Sequence, residues 1–178
     1  MIHGVDEWAA GWSPDGREIA YTHGFSGSPF DGGSGFTTVY IVAADGSNRR
    51  RLVGHSVNGG TPAWSPDRTT IALVGYDGLY LLRTNGSQLR RIVRETFDTP
   101  GTPSWSPDGH TIAFVGTDEV VTVARDGHGL KTLARCRCDT QTDSASWSPN
   151  GRWIAFSAAH GIYLVRPDGT HQRLLLSY

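Results

Sequence analysis

Residues that could carry out chemistry are few and scattered along this chain. Its seven histidines lie far apart, and neither a His-Glu-x-x-His metal motif nor a phosphate-binding glycine loop occurs. The segment Gly24-Phe25-Ser26-Gly27-Ser28 resembles the Gly-x-Ser-x-Gly nucleophile motif of hydrolases, but its last position is not glycine. Because no nucleophile, base and orienting group can be assembled from recognisable motifs, we expect no enzymatic activity, no cofactor and no metal site.

The two cysteines, Cys136 and Cys138, leave three readings open. They could form a strained disulfide in an oxidising compartment or contribute to a metal site, but we expect two free thiols. A metal site needs more ligands than the nearby sequence offers.

The composition narrows the class of partner. Formal net charge is −1, so the strongly basic footprint of a nucleic-acid-binding protein is absent. No run of eighteen apolar residues occurs, so we expect no membrane span. The first residues lack the basic and apolar regions of a signal peptide, so none is visible.

A fourfold internal repeat dominates the sequence. A Trp-Ser-Pro-Asp-Gly pentapeptide begins at Trp12 and returns, with small changes, at Trp64, Trp105 and Trp147, with spacings of 52, 41 and 42 residues. Arg68 replaces the glycine of the second copy, and we expect this change to weaken its turn. Each copy is followed by an Ile-Ala segment, a second apolar segment, an Asp-Gly or Asn-Gly turn and a third apolar segment. Repeats of this length are typical of stacked supersecondary units.

Each repeat reads as four short strands, here called A to D. The segments are rich in β-branched and aromatic residues and are bounded by residues typical of turns. Ser-Pro-Asp-Gly suits a type I turn followed by a left-handed glycine. We therefore predict an all-β fold in which residues 1–178 form one domain, a β-propeller or partial propeller of four four-stranded antiparallel blades. The predicted blades lie near residues 5–53, 58–93, 99–134 and 142–176.

This repeat resembles that of TolB-like β-propellers, and the resemblance covers nearly the whole chain. It implies a bacterial protein-interaction scaffold in the periplasm or outside the cell. The family has six to eight blades in a closed ring, whereas only four are found here. Other proteins with similar repeats are the propeller domains of prolyl-oligopeptidase-type hydrolases. A substrate-gating domain of such a hydrolase, or a fragment of one, is therefore the alternative function.

The antiparallel order of strands sorts the connections onto two ends of the blades. The A–B and C–D turns share one end, here called the regular face. The B–C and D–A connections share the other, here called the loop face, where we expect a protein partner to bind because variable loops on a rigid scaffold carry function. The Gly- and Ser-rich insertion 24–36 with three phenylalanines lies there. The candidate partner-binding residues are Phe25, Phe30, Phe36, His55, Asp118, Glu119, Asp143 and His160.

The four repeat tryptophans are predicted to be buried wedges between blades. Blades 1 and 4 would each leave one apolar face uncovered in an open array, and neither is more polar than the interior blades. We expect further blades, or failing these a head-to-tail second copy, to cover those faces. Closure of four blades into a ring is the third possibility. The arginines at the start of the D strands are interpreted as charges that protect a sheet edge.

Overall fold

The computed structural model describes residues 9–25, 36–57, 60–95, 101–135, 144–158 and 161–177. These residues contain sixteen strands and no helix, arranged as four separate four-stranded antiparallel sheets. Strand order within each sheet follows chain order, so each sheet is a simple meander of strands A to D. The prediction of an all-β, propeller-type fold is confirmed, and the sheets do not close into a ring.

The strands of the first two blades have the following bounds. Blade 1 consists of β1 (Ala9–Trp12), β2 (Glu18–Phe25), β3 (Phe36–Ala43) and β4 (Arg50–Val57). Blade 2 consists of β5 (Ala63–Trp64), β6 (Thr70–Gly75), β7 (Gly78–Arg83) and β8 (Leu89–Val93).

The last two blades repeat the same order. Blade 3 consists of β9 (Ser104–Trp105), β10 (Thr111–Val115), β11 (Glu119–Ala124) and β12 (Lys131–Arg135). Blade 4 consists of β13 (Ala145–Trp147), β14 (Ile154–Ala158), β15 (Gly161–Val165) and β16 (Arg173–Ser177).

The Ser-Pro-Asp-Gly segments form the A–B turns as predicted. In the first, the Ser13 hydroxyl donates to Asp15 Oδ1 at 2.8 Å, and the Gly16 amide donates to the Ser13 carbonyl at 2.9 Å. Gly16 has a φ of 69°, the left-handed conformation that glycine adopts at little cost. Arg68 occupies the equivalent position with a φ of 61° and forms an ion pair with Asp15 of the preceding blade. The second turn therefore keeps its geometry without glycine.

Three apolar clusters fill the seams between consecutive blades. Each blade presents one sheet face to the preceding blade, its leading face, and the other to the following blade, its trailing face. In the seam between blades 1 and 2, Ile41 on the trailing face of blade 1 packs in the same cluster as Leu73 and Leu82 on the leading face of blade 2. The core is thus distributed over the seams, and each seam depends on both of its blades.

The repeat tryptophans depend on the preceding blade. Trp64 and Trp105 are each only 7% exposed, and their indole N–H groups donate to the carbonyls of Gly11 and Ala63 at 3.0 Å. Trp12 is 60% exposed, because no blade precedes it in the structure. The prediction that all four tryptophans are buried wedges is therefore wrong for Trp12. Trp147 is half-buried against the third cluster.

Candidate binding surfaces

Two of the three phenylalanines of the long insertion lie at the loop-face end of blade 1. Phe25 is the last residue of β2 and Phe36 the first of β3, and the two pair across the hairpin. They were predicted to lie in a loop, but the strands extend further than the sequence pattern indicated. Phe30 lies outside the described residues. The connection between the paired phenylalanines, residues 26–35, is far longer than the corresponding connection of blade 2.

Three of the other predicted residues lie in the described part of the chain, on blades 1 and 3. His55 was predicted in the loop after strand D but lies within β4. Asp118 is exposed in the B–C connection of blade 3, and Glu119 begins β11. The Thr132 hydroxyl donates to Glu119 Oε2 at 2.8 Å, so this carboxylate is held against strand D. Asp143 and His160 lie outside the described residues.

A polar cluster that the sequence analysis missed lies at the loop-face end of blade 2. Asp77, in the tight β6–β7 turn, accepts a hydrogen bond from the Tyr80 hydroxyl at 2.7 Å and forms an ion pair with Arg91. Tyr80 and Arg91 are cross-strand partners, which places the guanidinium near the ring. Burial, followed by the Asp77 carboxylate, raises the pKa of Tyr80, so its phenol stays protonated. The cluster is therefore an ordered set of polar side chains in which the Tyr80 proton is donated to Asp77.

The regular face is held together by polar contacts between blades. Arg125 Nη1 donates to Asp67 Oδ2 at 2.8 Å across the seam between blades 2 and 3. Burial raises the pKa of Asp67, but hydrogen bonds from the Ser65 hydroxyl, from Thr69 and from Arg125 outweigh burial and hold it well below its usual range. This face is therefore cross-linked by charge-assisted hydrogen bonds.

Arginines at the start of the D strands also cross the seams. Arg50 Nη1 donates to the Thr84 carbonyl at 2.5 Å, and Arg90 Nη2 donates to the Arg125 carbonyl at 3.1 Å. Lys131 Nζ reaches the Asp168 carbonyl at 2.7 Å in the same way. These cations thus link each blade to the C–D turn of the next, a role that edge protection alone did not predict.

Of the six large apolar side chains that are exposed among the described residues, five lie on the terminal blades 1 and 4. The leading face of blade 1 carries Trp12 and the stacked rings of Tyr21 and Tyr40, whose centroids are 5.3 Å apart, and the Arg49 guanidinium lies 4.4 Å from the Tyr40 ring centroid. On the trailing face of blade 4, Ile162 pairs with Leu176, and they are 36% and 56% exposed. The equivalent pair in blade 3, Val120 and Ala134, is 0% and 5% exposed.

Trp12, Ile162 and Leu176 are therefore exposed at positions that are buried in blades 2 and 3. Side chains suited to a blade–blade seam remain uncovered at both ends of the array.

The described residues include neither a metal-binding cluster nor a membrane-spanning helix. Within the described ranges, no group of three or more histidine, cysteine, aspartate or glutamate side chains is placed to hold a metal ion. Cys136 and Cys138 lie outside those ranges. The same part of the chain contains no helix of the length and apolar character needed to cross a membrane.

Comparison with known families decides the classification. The model of the PD40 family, described as the TolB β-propeller domain, matches residues 6–177. The chain belongs to this family. The resemblance inferred from the Trp-Ser-Pro-Asp-Gly repeat is thereby confirmed. No curated protein matches this PD40 chain significantly in sequence.

Solved structures share the PD40 fold at low sequence identity. A protein assigned as TolB from Agrobacterium tumefaciens aligns with a TM-score of 0.69 and 19% identity, over 97% of this chain and 63% of its own. A chain of a nidogen/laminin complex aligns with a TM-score of 0.74 and 12% identity, over 97% and 65%. The Pyrococcus horikoshii acylaminoacyl peptidase aligns with a TM-score of 0.63 and 12% identity, over 97% and 33%. This chain therefore spans less than two thirds of each of these proteins.

Proposed function

We propose that this PD40 domain is a non-catalytic scaffold for protein–protein interaction that binds its partner through the loop face. The observation that carries the protein-binding role is the exposure of Trp12, Ile162 and Leu176 on the two terminal blade faces, at positions that are buried in blades 2 and 3. Exposed apolar patches of this kind mark surfaces that dock on protein. The nidogen/laminin complex, in which a chain of the same fold occurs in a two-protein assembly, supports the same class of function.

Two different protein contacts follow from this proposal. The terminal faces bind blade surfaces of the same type, supplied by further blades or by a second copy joined head to tail. The loop face binds the ligand protein, because its connections vary between blades whereas the regular face is occupied by contacts between blades. The Asp77–Tyr80–Arg91 cluster and the exposed Asp118 supply ordered polar groups on this face.

Site-specific photo-crosslinking tests the loop-face assignment. A photoreactive residue at Asp118, just before β11, probes the loop face, and one at Asp126, just after β11, probes the regular face of the same blade. Both side chains are exposed, so the two positions differ mainly in the end of the blade that they occupy. In the cell that makes the protein, we expect a discrete protein adduct from position 118 and none from position 126. Adducts of equal yield from both positions, or none from either, would contradict the assignment.

A substrate-gating propeller of a hydrolase is the second candidate function. The alignment with the acylaminoacyl peptidase, whose length this chain covers by 33%, favours it. In that case the adduct from position 118 would be a hydrolase domain rather than a separate ligand protein. We expect the chain alone to turn over no peptide or ester, and activity that persists through purification and is abolished by one point substitution would refute the non-catalytic role.

A further inference from the structure

A small groove lies on the regular face at the seam between blades 2 and 3, at the end of the molecule opposite the loop face. Its volume is about 210 Å³. The described residues that line it are Thr70, Leu81, Arg83, Gln88, Arg90 and Arg125. Three of these six are arginines and none is acidic, so the groove is strongly cationic.

One wall of the groove is rigidly positioned. Arg125 Nη1 donates to Asp67 at 2.8 Å and its Nη2 donates to the Thr69 hydroxyl at 2.8 Å. The guanidinium also lies 5.3 Å from the ring centroid of Trp105, a cation–π arrangement. Arg125 therefore shapes the groove, while Asp67 neutralises most of its charge.

The charges of the other two arginines are not neutralised. Within the described residues, the Arg83 guanidinium has no hydrogen-bond or ion-pair partner, and the Arg90 guanidinium makes a single hydrogen bond to the carbonyl of Arg125. The two side chains enter the groove from adjacent strands, because Leu81 pairs with Arg90 and the Arg83 amide donates to the Gln88 carbonyl. Both line the same groove, and like charges on neighbouring strands destabilise each other unless an anion neutralises them.

The repeat provides an internal comparison for this groove. A cation at the Arg90 position is part of the repeat, since Arg50 and Lys131 occupy it in blades 1 and 3. At the Arg83 position the preceding and following blades have alanine, Ala43 and Ala124, and blade 4 has Arg166. Arg125 is not part of the repeat, because Thr84 and Pro167 stand at that position in the adjacent blades. Of the three described seams, only the one between blades 2 and 3 therefore brings three arginines together.

We propose that this groove is an oxyanion site that binds a phosphate or sulfate group, with Arg83 and Arg90 as the direct donors. A guanidinium presents a planar fork of N–H donors that matches the oxygens of such a group and binds it in a bidentate manner. Arg125 is a positioning residue, because its own terminal donors are already bound within the chain. The volume is below that of a pocket for a drug-sized ligand, which favours a small anion or a single anionic group.

Calorimetric titration of the full chain with inorganic phosphate tests the proposal. Ionic strength is held constant with sodium chloride, because general screening would otherwise alter any cationic surface. We expect saturable binding that weakens about tenfold in Arg83→Gln and in Arg90→Gln, the loss of one charge-assisted hydrogen bond in each case. Inorganic sulfate should displace the phosphate. The matched control is Arg152→Gln, which removes an exposed arginine from the A–B turn of blade 4, outside the groove; its affinity should equal that of the parent.

Arg83→Gln is the deciding variant. Because its guanidinium has no partner in the described chain, the substitution should leave the unfolding midpoint in sodium chloride unchanged. A loss of phosphate affinity would then result from the missing donor in the groove and not from unfolding. Absence of saturable binding by the parent, equal affinity of Arg83→Gln and the parent, or failure of sulfate to compete would each overturn the proposal. An equal loss of affinity in Arg152→Gln would also overturn it, since the binding would then follow net charge rather than this groove.

Discussion

Replacing the same repeat tryptophan in two different blades tests whether the seams hold the structure together. Trp105 fills the seam between blades 2 and 3 and donates to the Ala63 carbonyl. Trp105→Ala removes the ring and leaves that carbonyl without its donor, so we expect a loss of about 4 kcal/mol of unfolding free energy. For a chain of this size, the melting temperature should fall by about 8–16 °C.

Trp12→Ala is the matched control, because Trp12 stands at the same repeat position but is mostly exposed. In the single chain we expect a loss of about 0.5 kcal/mol or less. Urea unfolding followed by far-ultraviolet circular dichroism measures both variants at a dilution where light scattering reports one chain. Equal losses at the two positions under these conditions would refute the reasoning, since Trp12 would then be buried without a preceding blade.

Three smaller predictions follow from single contacts. Gly78→Ala should lower the melting temperature by about 4–8 °C, because a Cβ there would lie 2.1 Å from the carbonyl oxygen of Val93. Asp67→Asn should lower the urea midpoint of unfolding at neutral pH. Because folding depresses the pKa of Asp67, the ionised carboxylate stabilises the fold fully above the unfolded-state pKa of about 3.8, and this stabilisation is lost as the pH falls further. Arg68→Gly should leave stability unchanged or raise it by about 0.5 kcal/mol, because relief of the left-handed conformation outweighs the exposed ion pair with Asp15.

Each of these predictions has a contrary result. A Cβ at Gly16 would have no atom within 4 Å, so Gly16→Ala is the control for Gly78→Ala. If Gly78→Ala lowers the melting temperature no more than Gly16→Ala does, the contact with the Val93 carbonyl is not the cause. An Asp67→Asn difference that stays constant from neutral to strongly acidic pH would exclude the carboxylate charge. A clear destabilisation by Arg68→Gly would mean that the Arg68 ion pair outweighs the conformational cost.

Strands and turns could be predicted from the sequence because their determinants are local. The Ser-Pro-Asp-Gly segments specify their own turns through contacts such as that of Ser13 with Asp15. The exposure of Trp12 could not be predicted, because the repeat pattern determines the residue type but not whether a neighbouring blade covers it. The same residue type is a buried wedge at Trp64 and a surface residue at Trp12.

The candidate binding residues were harder to predict because they depend on registers between strands. The Asp77–Tyr80–Arg91 cluster depends on the irregularity between Leu79 and Tyr80 in the pairing of β7 with β8, which sequence spacing does not reveal. Arg90 and Arg91 were interpreted together as edge charges. The alternation of side chains along a strand instead directs Arg90 to the next blade and Arg91 to Asp77.

Light scattering combined with binding of a hydrophobic dye tests the central claim that this domain is a protein-binding scaffold, because the claim rests on the two terminal blade faces being open to a further blade surface. As concentration rises, we expect either masses above the 19.3 kDa of one chain or, where the chain stays single, strong dye binding at the open ends. Replacing Trp12 and Leu176 by glutamate should abolish both signals while leaving the interior seams folded. A single chain at every concentration that binds no dye and melts cooperatively would contradict the claim.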